Sequence, residues 1–138
     1  MRVSQRLDYV LRALTAMAQL PPGSTVVAGD LAVRLNLPKR FLEQQMTALA
    51  KRGLVSCQRG AGGGCALAKP AEDITVGDIV RALLGDVLDV PRTSGSAVAE
   101  MWRDAADRFE SSLDGVTLHG LAERQNEIDA AAQPMYYI

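Results

Sequence analysis

The sequence has little of what membrane and secreted proteins need. No apolar run approaches the roughly 18 residues that span a bilayer. Polar residues interrupt any segment near the N-terminus that could serve as a signal peptide, namely Arg6, Asp8, Arg12 and Gln19. Only 4% of the residues are aromatic, so the core must consist mostly of Leu, Val, Ala and Met. We expect a cytoplasmic protein with no membrane partner, whose 138 residues suit one domain with or without an oligomerisation element.

Residues for catalysis and metal binding are scarce as well. His119 is the single histidine, and it shares no recognisable zinc-ligand spacing with the two distant cysteines. No Ser-His-Asp arrangement and no Gly-x-Ser-x-Gly motif occurs. The glycine-rich segment 59–64 lacks both the Lys-Ser or Lys-Thr pair and the following helix of a phosphate-binding loop. The sequence therefore predicts a protein that is not an enzyme and binds no metal.

What the sequence does have is an uneven distribution of charge. Residues 1–69 carry ten Lys and Arg against three Asp and Glu, a net charge of +7. Residues 70–138 carry five against thirteen, a net charge of −8. A basic half joined to an acidic half indicates one surface for a polyanion and another for solvent or a protein partner. Chance segregation of surface charge is the alternative.

Helical periodicity, caps and breakers divide the chain into short elements. The predicted helices cover about 4–19, 28–35, 38–52, 75–84 and 97–113, and a short helix with an Ala- and Gln-containing tail follows residue 118. Pro38 suits a first helical turn, and Gly53 suits the end of the third helix. Residues 54–58 and 65–68 have the pattern of β-strands, and a glycine loop separates them.

The order of these elements predicts the fold. Two short helices joined by a tight turn, the second ending at a glycine, form the outline of a helix-turn-helix. The β-hairpin directly behind them is where a wing belongs. We predict a mainly α protein with a small β-hairpin wing. It has a winged helix-turn-helix DNA-binding domain over residues 1–84, a linker loop over 85–96, and a long dimerisation helix with a C-terminal tail over 97–138.

The outer face of the third predicted helix carries residue types that read DNA. Its Leu and Met side chains turn inward at i, i+4, i+7 spacing. The residues that emerge on the opposite face or its flank are Arg40, Glu43, Gln44, Thr47 and Lys51. Arg suits guanine, Gln suits adenine and Glu suits the cytosine amino group, while Lys51 suits a phosphate. An ordinary solvated helix face is the alternative.

The loop between the predicted strands indicates a wing tip. Its glycines would let the backbone approach DNA closely, beginning with Gly60. Arg59 precedes it and could reach into a narrow minor groove. A merely flexible hairpin tip is the alternative.

These elements together resemble the Rrf-two (BadM-type) family of winged-helix transcription regulators, which includes the IscR, NsrR and CymR types. The segments that carry the resemblance occur in family order and cover most of the chain: MRVSQRLDYVLRAL, FLEQQMTALAKRGLV, RGAGGG, ALAKPAEDITVGDIVRAL and VTLHGL. The resemblance implies a winged helix-turn-helix whose long C-terminal helix pairs two subunits on palindromic DNA.

The resemblance also assigns residues to these surfaces. The residues it places at the DNA are Phe41, Glu43, Gln44 and Arg59, with Arg2, Ser4 and Tyr9 near phosphates. The apolar stripe expected to face the partner subunit is Val98, Met101, Trp102, Ala105 and Phe109, with Trp102 and Phe109 as anchors. Packing of this helix against its own domain is the alternative, although a lone extended helix with one apolar stripe usually needs a partner.

The chain departs from the family at its cofactor. Many members bind an iron–sulfur cluster through three cysteines in the loop before the dimer helix, whereas residues 85–96 contain none. Thiolate ligation of such clusters is nearly obligatory. Asp8 stands where some relatives offer a carboxylate ligand, but neither it nor His119 can hold a cluster unaided. We therefore expect no iron–sulfur cluster and no other cofactor.

The two cysteines lie on the wing strands instead. Cys57 and Cys65 flank the glycine loop, and the simplest interpretation is that they are small wing residues. A thiol switch is the alternative, because Arg59 could lower a nearby thiol pKa and oxidation at the wing would alter DNA contact. A disulfide requires Cα atoms within about 7 Å, which the sequence cannot establish.

These observations predict a homodimeric transcription regulator, a repressor, on a pseudo-palindromic operator in double-stranded DNA. Two alternatives remain. One is a regulator that senses a small molecule bound between the domain and the dimer helix, which an apolar pocket near Trp102 would indicate. The other is an interaction module that has lost DNA binding.

Overall fold

The computed structural model describes residues 3–60, 62–91 and 95–133, and within them it contains six α-helices and one β-hairpin. In chain order these elements are α1 (Gln5–Ala18), α2 (Ala28–Leu35), α3 (Lys39–Lys51), β1 (Val55–Gln58), β2 (Gly64–Leu67), α4 (Val76–Leu84), α5 (Ala97–Asp114) and α6 (Leu118–Ala132), with a 3₁₀ turn at Ala71–Asp73 before α4. The mainly α fold with a small hairpin is therefore confirmed.

Local signals explain where α1 and α2 begin and end. The side chain of Ser4 caps α1 by accepting a hydrogen bond from the backbone N–H of Leu7 at 3.2 Å. Asn36 ends α2 in the left-handed conformation, with φ of 55°. Asparagine tolerates that conformation better than most residues. The chain can therefore turn sharply into α3.

The ends of α3 differ slightly from expectation. Pro38 is the N-cap, one residue before the helix, because its ψ of 125° is extended rather than helical. At the other end Gly53 has φ of +76°. Its N–H donates to Ala50 O and that of Leu54 donates to Leu49 O, both at 3.1 Å. This is the pair of hydrogen bonds that a Schellman motif makes, so Gly53 ends the helix as predicted.

The wing consists of two antiparallel β-strands, and Val26 adds a one-residue bridge beside β2. β1 and β2 pair so that Cys57 lies opposite Cys65, and Val26 bridges Cys65 from the other side. The backbone of Val26 both donates to Cys65 O at 2.8 Å and accepts from Cys65 N–H at 2.7 Å. A Cβ at Gly64 would lie 2.8 Å from Val26 O, so this close approach requires glycine.

The core lies around α1. Its largest fully buried side chains come from four helices and the segment before α4, and they are Val10, Leu14, Leu42, Leu49, Ile74, Ile79 and Leu118. As the composition predicts, no aromatic side chain that the structure describes is buried. The fully buried core that holds these helices together is therefore aliphatic.

A capping box begins α4, and an ion-pair cluster connects α4 to α5. The side chains of Thr75 and Asp78 each accept the other's backbone N–H at 3.0 Å, and the bond from the Thr75 N–H chiefly lowers the pKa of Asp78. Arg81 contacts Glu110 at 2.7 Å and Asp114 at 2.8 Å, and these bonds raise the pKa of Arg81. A Cβ at Gly77 would overlap the Asp114 carboxylate.

The C-terminal segment differs from the short helix and tail that we expect from the sequence. It forms α6, a helix of 15 residues in which Leu118 and Ala122 are buried. The side chain of Gln19 at the end of α1 donates to Asn126 at 2.9 Å and to Asp129 at 3.0 Å. Packing against α1 therefore supports a helix whose own pattern is only weakly amphipathic.

In the part of the chain that the structure describes, no helix is both long and apolar enough to cross a membrane.

Candidate nucleic-acid interface

The outer face of α3 presents the residues that helix geometry predicts. Leu42, Met46 and Leu49 are buried, as expected. All five residues predicted on the outer face or its flank are exposed, namely Arg40, Glu43, Gln44, Thr47 and Lys51. The hydroxyl of Thr47 donates to Glu43 O at 3.1 Å. Thr47 therefore has its oxygen available as an acceptor and its methyl group for apolar contact with a base.

An open groove of about 510 Å³ separates α3 from the wing and forms the centre of this surface. We call it the helix–wing groove. Its lining residues are Glu43, Met46, Thr47, Ala50 and Lys51 of α3, Cys57, Gln58 and Cys65 of the hairpin, Arg59 of the loop and Ala28 of α2. The fold thus brings together four residues predicted from separate segments to contact DNA. Arg40, Phe41 and Gln44 lie in the first two turns of α3, outside the groove lining.

The wing tip has the backbone conformation that its glycines allow. Gly60 has φ of +94° and Gly62 has φ of +76°, a region that favours glycine. The N–H of Gly63 donates to Gly60 O at 2.9 Å and closes the turn. Arg59 and Gly60 are exposed, so the arginine directly precedes a turn that has no bulky side chain in the way.

The residues at the start of the chain that we predicted to lie near DNA phosphates make contacts within the protein. Ser4 caps the helix, so its oxygen already accepts one hydrogen bond. The hydroxyl of Tyr9 accepts from Gln5 Nε2 at 2.7 Å, and its ring packs edge-to-face on Phe41 with centroids 5.7 Å apart. Both rings are half-buried. Tyr9 and Phe41 therefore join α1 to the start of α3. Arg2 lies outside the described residues.

The sequence analysis missed one polar contact on the buried side of α3. Gln45 is only 8% exposed, and its side-chain oxygen accepts from Arg6 Nε at 2.7 Å. Helix geometry could have placed Gln45 beside the buried Leu42 and Leu49, because it lies three and four residues from them. Its partner could not be found by pattern, since Arg6 lies 39 residues away.

The two cysteines form a disulfide. Cys57 and Cys65 are cross-strand partners with Cα atoms 4.1 Å apart, within the limit that bonding requires. Cys57 is exposed, whereas Cys65 is 7% exposed. Both line the helix–wing groove. The pair therefore lies in the groove between α3 and the wing, beside residues predicted to contact DNA.

A second surface runs along α5. Only Ala99 of this 18-residue helix is buried. The predicted stripe is exposed throughout, with Val98 at 61%, Met101 at 49%, Trp102 at 41% and Phe109 at 45%, and Ala105 also exposed. Beside it lies an apolar hollow of about 420 Å³, lined by Leu88, Asp89, Val90, Pro91, Trp102, Ala105 and Phe109.

Known proteins share both the sequence pattern and this geometry. The chain matches the model of the Rrf2 family, described as an iron-dependent transcriptional regulator, over residues 3–124. It is 30% identical over 142 aligned residues to the HTH-type transcriptional regulator IscR of Escherichia coli (strain K12 / DH10B), with 96% of this chain and 87% of that protein covered.

Solved structures agree. CymR (YrzC), the global cysteine regulator of B. subtilis, superposes with a TM-score of 0.79 at 31% identity, over 90% of this chain and 98% of that one. T. potens IscR superposes with a TM-score of 0.78 at 31% identity, over 99% of this chain and 95% of that one. These relatives are named as regulators rather than enzymes. The chain therefore belongs to the Rrf2 (Rrf-two) family and is a DNA-binding transcription regulator with a winged helix-turn-helix fold.

Proposed function

We propose that the protein is a homodimeric, cytoplasmic repressor, without enzymatic activity, that binds a two-fold-symmetric operator. The observation that carries the proposal is the helix–wing groove. A recognition helix with exposed polar side chains and a wing with an exposed arginine flank one open surface. This arrangement defines a single orientation on a duplex, with α3 in the major groove and the wing over the adjacent minor groove.

The two ends of α3 have different roles in this orientation. Arg40 and Gln44 lie in its N-terminal half, the part of a recognition helix that meets base edges. Arg40 suits guanine and Gln44 suits adenine. Lys51, in the last turn, and Arg59, on the wing, supply positive charge for the backbone and the minor groove. Sequence preference therefore comes from polar side chains of α3, above all in its first half, and sequence-independent affinity comes from Lys51 and Arg59.

The dimer forms through α5. Four large apolar side chains on its outer face are between 41% and 61% exposed in the single chain. Exposed apolar patches of this kind mark interaction sites. A second copy is the fitting partner because a two-fold axis pairs the same stripe with itself. Two recognition helices about 34–36 Å apart would then enter successive major grooves, and a bound dimer would exclude RNA polymerase from an overlapping promoter.

The family is described as iron-dependent, but this chain lacks the residues that would hold an iron–sulfur cluster. The chain has no cysteine between α4 and α5, and both of its cysteines are paired in the wing. No group of three or more His, Cys, Asp or Glu in the described residues could hold a metal ion. Asp8 pairs with Arg12 at 3.0 Å, and His119 lies between Glu72 and Glu123. We propose that regulation works without a cluster.

Selection of genomic DNA fragments tests the proposal. The purified full chain at near-physiological salt should enrich a two-fold-symmetric site, and sedimentation equilibrium should give the mass of a dimer. Transcription from a promoter containing that site should fall when the protein is added. Absence of DNA affinity even at low salt would instead support the interaction module, and an enriched site without symmetry would contradict the dimer.

Two variants of α3 separate base reading from charge. Gln44→Ala should cost about 1–3 kcal/mol on the selected site and relax preference at one base pair, with little change on random DNA. Lys51→Ala should weaken binding to all sequences and reduce the salt slope by about 1. Both are measured by fluorescence anisotropy at several salt concentrations. Unchanged binding in both variants would contradict the placement of α3.

A small-molecule effector is the second candidate function. The hollow lies beside Trp102 but between α5 and the linker segment 88–91, rather than between α5 and the domain over 1–84; it is largely apolar, and its volume of about 420 Å³ suits a small ligand. Trp102 is the only tryptophan in the chain, so its fluorescence reports on the hollow directly. A metabolite that changes this fluorescence, raises the Tm and alters operator affinity would establish the effector. A library that changes none of the three would argue for the thiol alternative.

A further inference from the structure

The backbone pairing in the wing explains why the two cysteines meet. Cys65 uses both its N–H and its C=O with Val26. In an antiparallel sheet those groups point to the same side, so Cys65 faces Cys57 as a non-hydrogen-bonded pair. Side chains approach most closely in such pairs. The two sulfur atoms are therefore held together by strand register and not by chance contact.

The surroundings of the pair suit reversible thiol chemistry. Cys57 is exposed and can meet a solute, whereas Cys65 is 7% exposed and is protected from one. Lys51 and Arg59 line the same groove, with Glu43 as the one carboxylate in its lining. The described lining thus contains two cationic side chains and one carboxylate, and the thiolate is the form of cysteine that reacts with a peroxide.

We propose that Cys57 and Cys65 are a reversible oxidation site that hydroperoxides close and a dithiol reductant opens, and that the closed form binds DNA more tightly. This inference rests on the proposed function, because the site lies in the helix–wing groove. The inference goes beyond the proposed function because it states how DNA binding at that groove is regulated.

The chemistry balances with one peroxide. The Cys57 thiolate attacks a peroxide oxygen, the O–O bond breaks, and a sulfenic acid forms while hydroxide leaves and takes a proton to become water. The Cys65 sulfur then attacks the Cys57 sulfur, and the sulfenic hydroxyl leaves with the Cys65 proton as a second water. Two thiols and one hydrogen peroxide thus give one disulfide and two waters. A dithiol returns two electrons and two protons and becomes a disulfide itself.

The direction of the effect follows from the size of the wing. Its strands have four residues each, and the connecting loop carries three glycines in residues 60–63. A two-stranded hairpin of this length is marginally stable by itself. The disulfide fixes the strand spacing two residues from Arg59, so less freedom is lost when that side chain docks on DNA. The reduced wing is more mobile before binding, so it loses more conformational freedom when it docks on DNA.

Matched redox states of the full chain test the proposal. The redox state of peroxide-treated and dithiothreitol-reduced protein is first checked by alkylation in denaturant, where buried Cys65 is accessible, and by mass spectrometry. The oxidised chain should take up no alkyl group and the reduced chain two, one per cysteine. Anisotropy on the selected operator should then give an affinity about three- to tenfold higher for the oxidised form, the range expected from ordering one mobile side chain. Reduction should reverse both readouts.

Two variants keep the test decisive. Cys57→Ser changes an exposed position, so the chain should fold, take up one alkyl group and bind DNA equally under both conditions. Arg59→Ala should still form the disulfide but lose most of the redox difference in affinity.

Equal affinities of verified oxidised and reduced wild type, tighter binding by the reduced form, or oxidation that dithiol does not reverse would each overturn the inference and leave the DNA-binding proposal standing. No DNA binding in either state at low salt would overturn both.

Discussion

The buried contact between α1 and the recognition helix permits a quantitative prediction. Gln45→Met keeps the shape of the side chain but removes the oxygen that accepts from Arg6 at 2.7 Å. A hydrogen bond to a charged group contributes about 1.5–3 kcal/mol net. Arg6 is half-buried, so water can replace part of the contact. We therefore expect the low end, about 1.5 kcal/mol, and a Tm lower by about 5 °C for a chain of this length.

Denaturant unfolding of a double-mutant cycle provides the assay. The variants are Arg6→Met, Gln45→Met and the pair, all measured at one protein concentration because the stability of the proposed dimer would depend on concentration. The coupling energy should exceed about 1 kcal/mol. Gln44→Met is the matched control: it is exposed on the same helix, so it should stay within about 0.5 kcal/mol of wild type. Equal effects of the substitutions at 44 and 45, or a coupling energy near zero, would refute the reasoning.

Three further predictions concern dimerisation, acid stability and helix termination. Phe109→Ala should weaken the dimer by about 2 kcal/mol, or about 30-fold, in sedimentation equilibrium, whereas Val116→Ala, exposed outside α5, should not. Asp78→Ala should cost about 1 kcal/mol at pH 7; because folding lowers the pKa of Asp78, this benefit is lost as pH falls below about 4, so the two unfolding curves should converge there. Gly53→Ala should cost about 1 kcal/mol because φ is +76°, whereas Gly115→Ala, at φ of −81°, should be neutral or stabilising in the same denaturant titration.

Most of the fold follows from local signals that act over a few residues. Ser4 and Thr75 cap helices, Asn36 and Gly53 end them, and the glycine loop turns the hairpin. Each signal is a hydrogen bond or a φ preference that involves near neighbours, so a single sequence reveals it. The exposed face of α3 is equally local, because burial of one helical stripe determines the opposite one.

The features that sequence reasoning did not find depend on distant parts of the chain. The length of α6 reflects packing on α1, including the contacts of Gln19 with Asn126 and Asp129. The Arg6–Gln45 bond joins two helices. The cysteine pairing depends on register, since a slip of one residue between β1 and β2 would put the two side chains on opposite faces. Periodicity within one element carries none of this information.

The two candidate inputs to this regulator differ in how far a signal must travel. A ligand in the hollow beside Trp102 acts on α5, and the ion pairs of Arg81 with Glu110 and Asp114 are the polar contacts that connect α5 to α4 and so to the domain that holds α3. Oxidation of the wing acts within the helix–wing groove itself, so no transmission is needed. The two inputs are therefore separable: removing the Arg81 contacts with Arg81→Met should reduce the effect of a ligand on DNA affinity but leave the redox effect intact. A redox effect that disappears in Arg81→Met would mean that the cysteines act through the dimer helix, contrary to the local mechanism.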